Sequence, residues 1–162
     1  MEIKDLLIPE LEQEIAITEK FLKRIPKDKL DWRPHEKSMT LKQLGSHLAE
    51  LPSWIVGTMT QDGMTMDDYK PPINENVDEM LHTLTSSAKE AVNSLKVPNN
   101  EYHKTWKMEK GGQTLMEMPK YNVLRGMVFN QIPHHRAQLG VYLRLLDQSV
   151  PATYGPSADE QV

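Results

Sequence analysis

The 162-residue sequence predicts an all-α fold built on four helices, and three observations carry that prediction. Apolar residues recur at steps of three and four through four separate segments, the spacing that gives a helix one inward stripe. Two of the segments open on side chains suited to cap a helix N-terminus. With only two Phe and 38% hydrophobic content, aliphatic helix packing is expected rather than a large aromatic sandwich.

From Ile3 to Ile25 the stripe is Leu11, Ile15, Thr18, Leu22 and Ile25. Pro9 sits early and is expected in the first full turn, while Lys23, Arg24 and Pro26 close the segment. Pro26 to Met39 forms a connector, whose Trp32 either plugs the core or covers a site. Thr40-Leu41-Lys42-Gln43 reads as a capping box, and the helix runs on through Leu44, His47, Leu48, Leu51 and Ile55. His47 lies on the apolar stripe with Glu50 three residues on, which pairs two metal-compatible or proton-transferring groups. H-x-x-E alone is a weak motif, and Glu50 is as readily a surface carboxylate. Trp54, one turn later, walls a pocket or simply packs.

Gln61 to Pro72 reads as a loop, marked by Asp62-Gly63 and Pro71-Pro72. Met59, Met64 and Met66 are gap-fillers or line an adaptable apolar surface. Asn76-Val77-Asp78-Glu79 opens a third helix, with Val77, Met80, Leu81, Leu84, Ala88, Ala91, Val92 and Leu95 inward and His82 at the surface. From Tyr102 to Met118 the period changes, and Gly111-Gly112 fits the turn of a small hairpin. His103 has no partner at ligand spacing. Pro119 fits the first position of the last helix, which runs to about Asp147. The tail from Val150 to the C-terminus is expected to fold back onto the bundle.

The last helix organises the chain. Its inward seam is Leu124, Val128, Gln131, His135, Gln138, Tyr142 and Leu145, with three polar residues where Leu or Val would serve. Burying each without a partner costs about 1–3 kcal/mol, so something must compensate. Gln131 and His135 stack on one face, and a shared metal ion is the most economical ligand. Hydrogen-bonded core residues without a ligand are the simpler alternative. Pro133, read as mid-helix, frees the carbonyl of Phe129 at a cost of roughly 3 kcal/mol.

Composition narrows the function. A net charge of −4 and a pI near 5.9 argue against nonspecific binding to nucleic acid or anionic membranes. No apolar run approaches the roughly 18 residues of a membrane span, and Met1-Glu2-Ile3-Lys4-Asp5 is no signal peptide, so a cytoplasmic location is expected. Cysteine is absent, so any metal is held by His, Gln or carboxylates.

The stretch His134-His135-Arg136-Ala137-Gln138-Leu139-Gly140-Val141-Tyr142-Leu143-Arg144 closely resembles the C-terminal helix signature of the DinB/YfiT-like family. Leu44-Gly45-Ser46-His47-Leu48-Ala49-Glu50 is similar to that family's second-helix ligand region, and the tail is similar to that of one of its branches. The resemblance implies a four-helix bundle with a long crossover connection, and a divalent metal, nickel or zinc, held by three histidines. His47 matches the first and His135 the third; the second is replaced by Gln131, a weaker and harder donor. His134 stands nearby as a substitute, a supporting partner or a surface residue. The resemblance further implies a thiol-dependent transferase acting on a small electrophile, with a low-molecular-weight thiol as co-substrate, Glu50 in proton transfer or support, and a homodimer. A binding or stress-associated scaffold with a degenerate metal site is the rival reading.

Overall fold

The polar–apolar alternation resolves into a mainly helical architecture with a small three-stranded sheet in a computed structural model, which describes residues 1–161. Helix α1 spans Ile3–Leu22 and buries Leu7, Leu11, Glu14, Ile17, Thr18, Phe21 and Leu22, a wider face than the single predicted stripe. Pro9 is its seventh residue, one turn deeper than expected. Its ring faces solvent, where water can satisfy the carbonyl that loses its donor.

Helix α2 (Leu41–Glu50) starts on the predicted box: the Gln43 amide donates to Thr40 Oγ1 at 3.1 Å, and the Thr40 amide donates to Gln43 Oε1 at 2.9 Å. The predicted run to Ile55 is divided, because Pro52 has no amide to donate and α3 begins anew at Ser53–Thr60. Leu51 and Pro52 keep helical dihedrals, so the chain hardly changes direction. Helix α4 (Val77–Ser94) is capped by Asn76, whose Oδ1 accepts from the Glu79 amide at 2.9 Å. It packs against α1, α2 and α3. A short helix α5 (Asn99–Tyr102) follows, and the buried Tyr102 hydroxyl donates to the Leu95 carbonyl at 2.5 Å.

The hairpin is formed by β2 (Thr105–Lys110) and β3 (Gln113–Pro119), turned by Gly111 and Gly112, both at positive φ. The segment read as a loop supplies a third strand. Strand β1 (Gly63–Thr65) pairs in parallel with β2, Gly63 against Lys107. A side chain at Gly63 would stand 2.6 Å from the Lys107 carbonyl oxygen, so the Asp62-Gly63 turn signal marks a close backbone approach. Trp106, Met108 and Val123 form a second cluster here, joined by Met64 and Met66, while Met59 belongs to the main core.

The last helix is three pieces rather than one. Helix α6 (Lys120–Leu124) begins one residue after Pro119, a π turn occupies Arg125–Phe129, and α7 runs Gln131–Leu145. Pro133 is therefore the third residue of a restarted helix, where an amide has no intrahelical acceptor in any case. The π turn is the accommodation: the Asn130 amide donates five residues back, to Arg125, at 3.0 Å. Of the predicted seam Leu124, Val128, His135 and Tyr142 are buried, Gln131 and Gln138 are only half-buried, and Leu145 is exposed. Trp32 is half-buried, edge-on to Tyr142 at 5.6 Å. His82 and His103 are exposed.

The tail folds back as expected. Val150 and Ala152 donate to the carboxylates of Asp159 and Glu160, both at 2.8 Å, and Arg144 pairs with Asp159. Val162, its last residue, lies outside the described residues. No helix among the described residues is long and apolar enough to cross a membrane.

Candidate metal centre

His47 and Glu50 stand one turn apart on α2, so their side chains meet. The His47 Nδ1–H donates to Glu50 Oε1 at 2.8 Å. Glu50 is 4% exposed, which removes it from the solvated surface. Both its oxygens accept from the Tyr69 hydroxyl at 3.1 Å. Tyr69 rests edge-on against Trp54, centroids 5.3 Å apart. Burial, reinforced by the Glu50 charge and hydrogen bond, pushes the Tyr69 phenol up to about 12. It stays protonated, a fixed donor to the carboxylate. Sequence reasoning missed Tyr69, which sits in the predicted loop with no local signal.

From the other side, α7 presents His135. Its Nδ1–H donates to Gln138 Oε1 at 3.2 Å, and the Gln138 amide donates onward to His134 Nε2 at 2.9 Å. His134 is exposed and supports His135 through Gln138. Burial pushes the His135 imidazole below its ordinary range; the neighbouring His47 and His134 add to this, and the Gln138 bond opposes it. The ring is therefore neutral near pH 7.

With both Nδ1 atoms engaged by their supporting groups, the two Nε2 atoms are left to face each other. The two lie 3.2 Å apart, the rings crossing at 84°. Two acceptors so close repel unless a proton or a cation lies between them. Metal–nitrogen bonds of about 2.0–2.1 Å at a tetrahedral angle hold two nitrogens roughly 3.3 Å apart, so the pair fits the edge of a zinc-type coordination sphere. The Glu50–His47 pair has the form of the carboxylate–histidine support that metal sites use to orient an imidazole. Gln131 is brought to the same place: with His47, Leu51, Trp54 and Met127 it lines a cavity of about 200 Å³. Its amide nitrogen donates to the Gly126 carbonyl at 3.1 Å, a carbonyl next to the π turn's start, which leaves Oε1 as the remaining donor atom. Among the described residues no cluster of three His, Cys, Asp or Glu stands at metal-holding distance.

Residue 136, next along α7, faces the other way. Arg136 is 1% exposed and lies 2.6 Å from Glu14 Oε2 on α1. It also donates to Thr18 Oγ1 at 3.2 Å and to the Tyr154 hydroxyl at 2.8 Å, and that hydroxyl donates to Glu14 Oε1 at 2.6 Å. Neither Glu14 nor Arg136 was expected inside.

The helices bring two supported histidines face to face, and the comparisons define the class of fold that does so. The model of the DinB family matches residues 2–161. The chain belongs to the DinB family. Its fold is similar to a DinB-like protein of Bacillus cereus ATCC 10987 (TM-score 0.68, 20% identity, 88% of this chain and 92% of that one). A DinB-like protein of Bacillus subtilis is similar as well (TM-score 0.70, 13% identity, 91% and 96% covered). No curated protein matches the sequence.

Proposed function

We propose that this chain is a metal-dependent enzyme that binds a divalent ion, zinc or nickel, and transfers a low-molecular-weight thiol to a small electrophile. In this reading α1, α2–α3, α4 and α6–α7 act as the four rods of a bundle, the long connection to the last rod carrying the β2–β3 hairpin. The observation that carries it is the pair of Nε2 atoms 3.2 Å apart, each ring fixed through its Nδ1. His47 and His135 hold the ion and Gln131 supplies an amide oxygen. A divalent ion there would lower the pKa of a bound thiol or water and yield a nucleophile near neutrality. Glu50, with Tyr69 behind it, orients His47 and stabilises its imidazole; Gln138 does the same for His135. Three protein donors leave coordination positions open, as catalytic sites require.

One observation favours a second reading, a metal-binding scaffold without turnover: the third donor is an amide in place of an imidazole. Elemental analysis of protein purified without a His-tag, followed by turnover with a thiol and a reactive electrophile, separates the readings. About one zinc or nickel per chain and thiol consumption lost in His135→Ala supports the enzyme. Metal without turnover leaves the scaffold, and absence of metal after reloading removes both.

A further inference from the structure

The small sheet turns sulfur inward where strands ordinarily turn branched carbon. Six of its side chains gather over Val123: Met64, Met66, Trp106, Met108, Met116 and Met118. β-Branched and aromatic residues suit such positions best, yet among the described residues this face carries methionine at every position but one. The main core is built otherwise, largely from leucine, with Met59 and Met80 as its buried methionines. Counting Met127 of the π turn, six of the chain's ten methionines collect at the sheet, a bias that filling gaps does not require. Strand register then brings the sulfurs together. Met64 stands opposite Met108, and Met108 opposite Met116, one rung across all three strands. Side chains so opposed start about 5 Å apart at Cβ, and methionine's rotatable bonds let three thioethers converge on one point. Met108 is buried while Met64 and Met116, on the outer strands, are half-buried and leave a way in from solvent. Trp106 lies one step along, and its buried indole N–H finds no acceptor among the described residues. No oxygen reaches that N–H, so the interior beside the rung is furnished with sulfur and an indole face.

We infer that this rung is a second metal site, binding a soft monovalent cation of the copper(I) or silver(I) type through the sulfurs of Met64, Met108 and Met116. Thioethers are soft, neutral donors that select such ions, whereas hard divalent ions keep their oxygen ligands. The indole of Trp106 adds the attraction of an aromatic face for a cation. The site needs neither His47 nor His135. Trp54 and Met127 nonetheless wall both the methionine cluster and the small cavity beside His47, so the two centres are neighbours.

The test adds silver(I), which needs no reductant, to the full chain labelled at its methionine methyl groups. It is run on the unaltered protein and on His47→Ala/His135→Ala, where the histidines cannot take the ion. One equivalent should shift the methyl signals of Met64, Met108 and Met116 together in both proteins and leave those of Met1 and Met80 in place. Met64→Leu and Met116→Leu, swaps that nearly conserve volume, should each weaken silver binding about tenfold or more, since one soft donor of three is lost. Met39→Leu, away from the sheet, should leave the affinity unchanged. Shifts that need the histidines, that spread evenly over all the methionines, or that survive both rung variants undiminished overturn the proposal. If a Leu variant loses the sheet, read from its β2–β3 amide signals, the methyl shifts of the unaltered chain and of the histidine variant decide alone.

Discussion

His135 and Arg136 are neighbours on one helix, yet they head two buried polar clusters of opposite character. Around Arg136 every charge has its complement: Glu14 pairs with it and Thr18 and Tyr154 complete the set. Around His135 the supporting bonds stop at Nδ1, and its Nε2 faces that of His47, a nitrogen of the same kind. Both clusters carry the cost of burying polar groups, but only the first offsets it with a pair of opposite charges. The difference teaches where to look for a ligand: in the polar cluster whose groups lack a counterpart.

The largest effect is expected on the closed side. Arg136→Ala strands a buried Glu14 carboxylate and should cost about 3–5 kcal/mol in urea unfolding. Arg136→Ala with Glu14→Gln should recover part of that loss. No recovery would mean the pair is not the unit described. On the open side His47→Ala and His135→Ala should each abolish divalent-metal retention, measured by elemental analysis, while helical circular dichroism stays intact. Retention in both variants removes the histidines from the site.

Supporting groups come next in size. Glu50→Gln and Tyr69→Phe should weaken zinc binding by about 10–100-fold and less, respectively, since they act through His47. Gln131→His should tighten zinc or nickel, and Gln131→Leu should loosen it; if neither dissociation constant moves, the amide oxygen is no ligand. The smallest effect is the proton's. Because burial holds the folded His135 below the ordinary value of 6.5, the unfolded chain takes the proton first in acid. Stability of the metal-free protein present above about pH 6.5 should therefore fall as the pH drops through the lower folded value, and metal affinity should fall with it. Melting temperatures of the metal-free protein and His135→Asn, compared from neutral to mildly acidic pH, check the sign.

What was legible in the sequence is what local chemistry determines. Thr40, Gln43 and Asn76 cap where their side chains dictate, and the double glycine turns the hairpin. His47 and His135 could be picked out because each is polar on an apolar stripe. Features set by distant partners were not legible. Strand β1 is three residues paired to a strand more than forty positions away, and Tyr69 reaches Glu50 only because the chain after β1 returns over α2. Arg136 reads as a surface cation until α1 is known to present Glu14. Pro133 announced a disturbance, but not that a π turn upstream would absorb it.

The Tyr154–Glu14 bond joins positions 140 residues apart. A ribosome delivers Glu14 long before Arg136 and Tyr154, so α1 cannot bury its polar side on first emerging: the carboxylate must stay in water until those two residues arrive. Closing so large a loop is entropically costly and slows the approach to the native state. Burial of the Glu14 side of α1 thus waits on Arg136 and Tyr154, and until they are made that face stays open to chaperones and proteases.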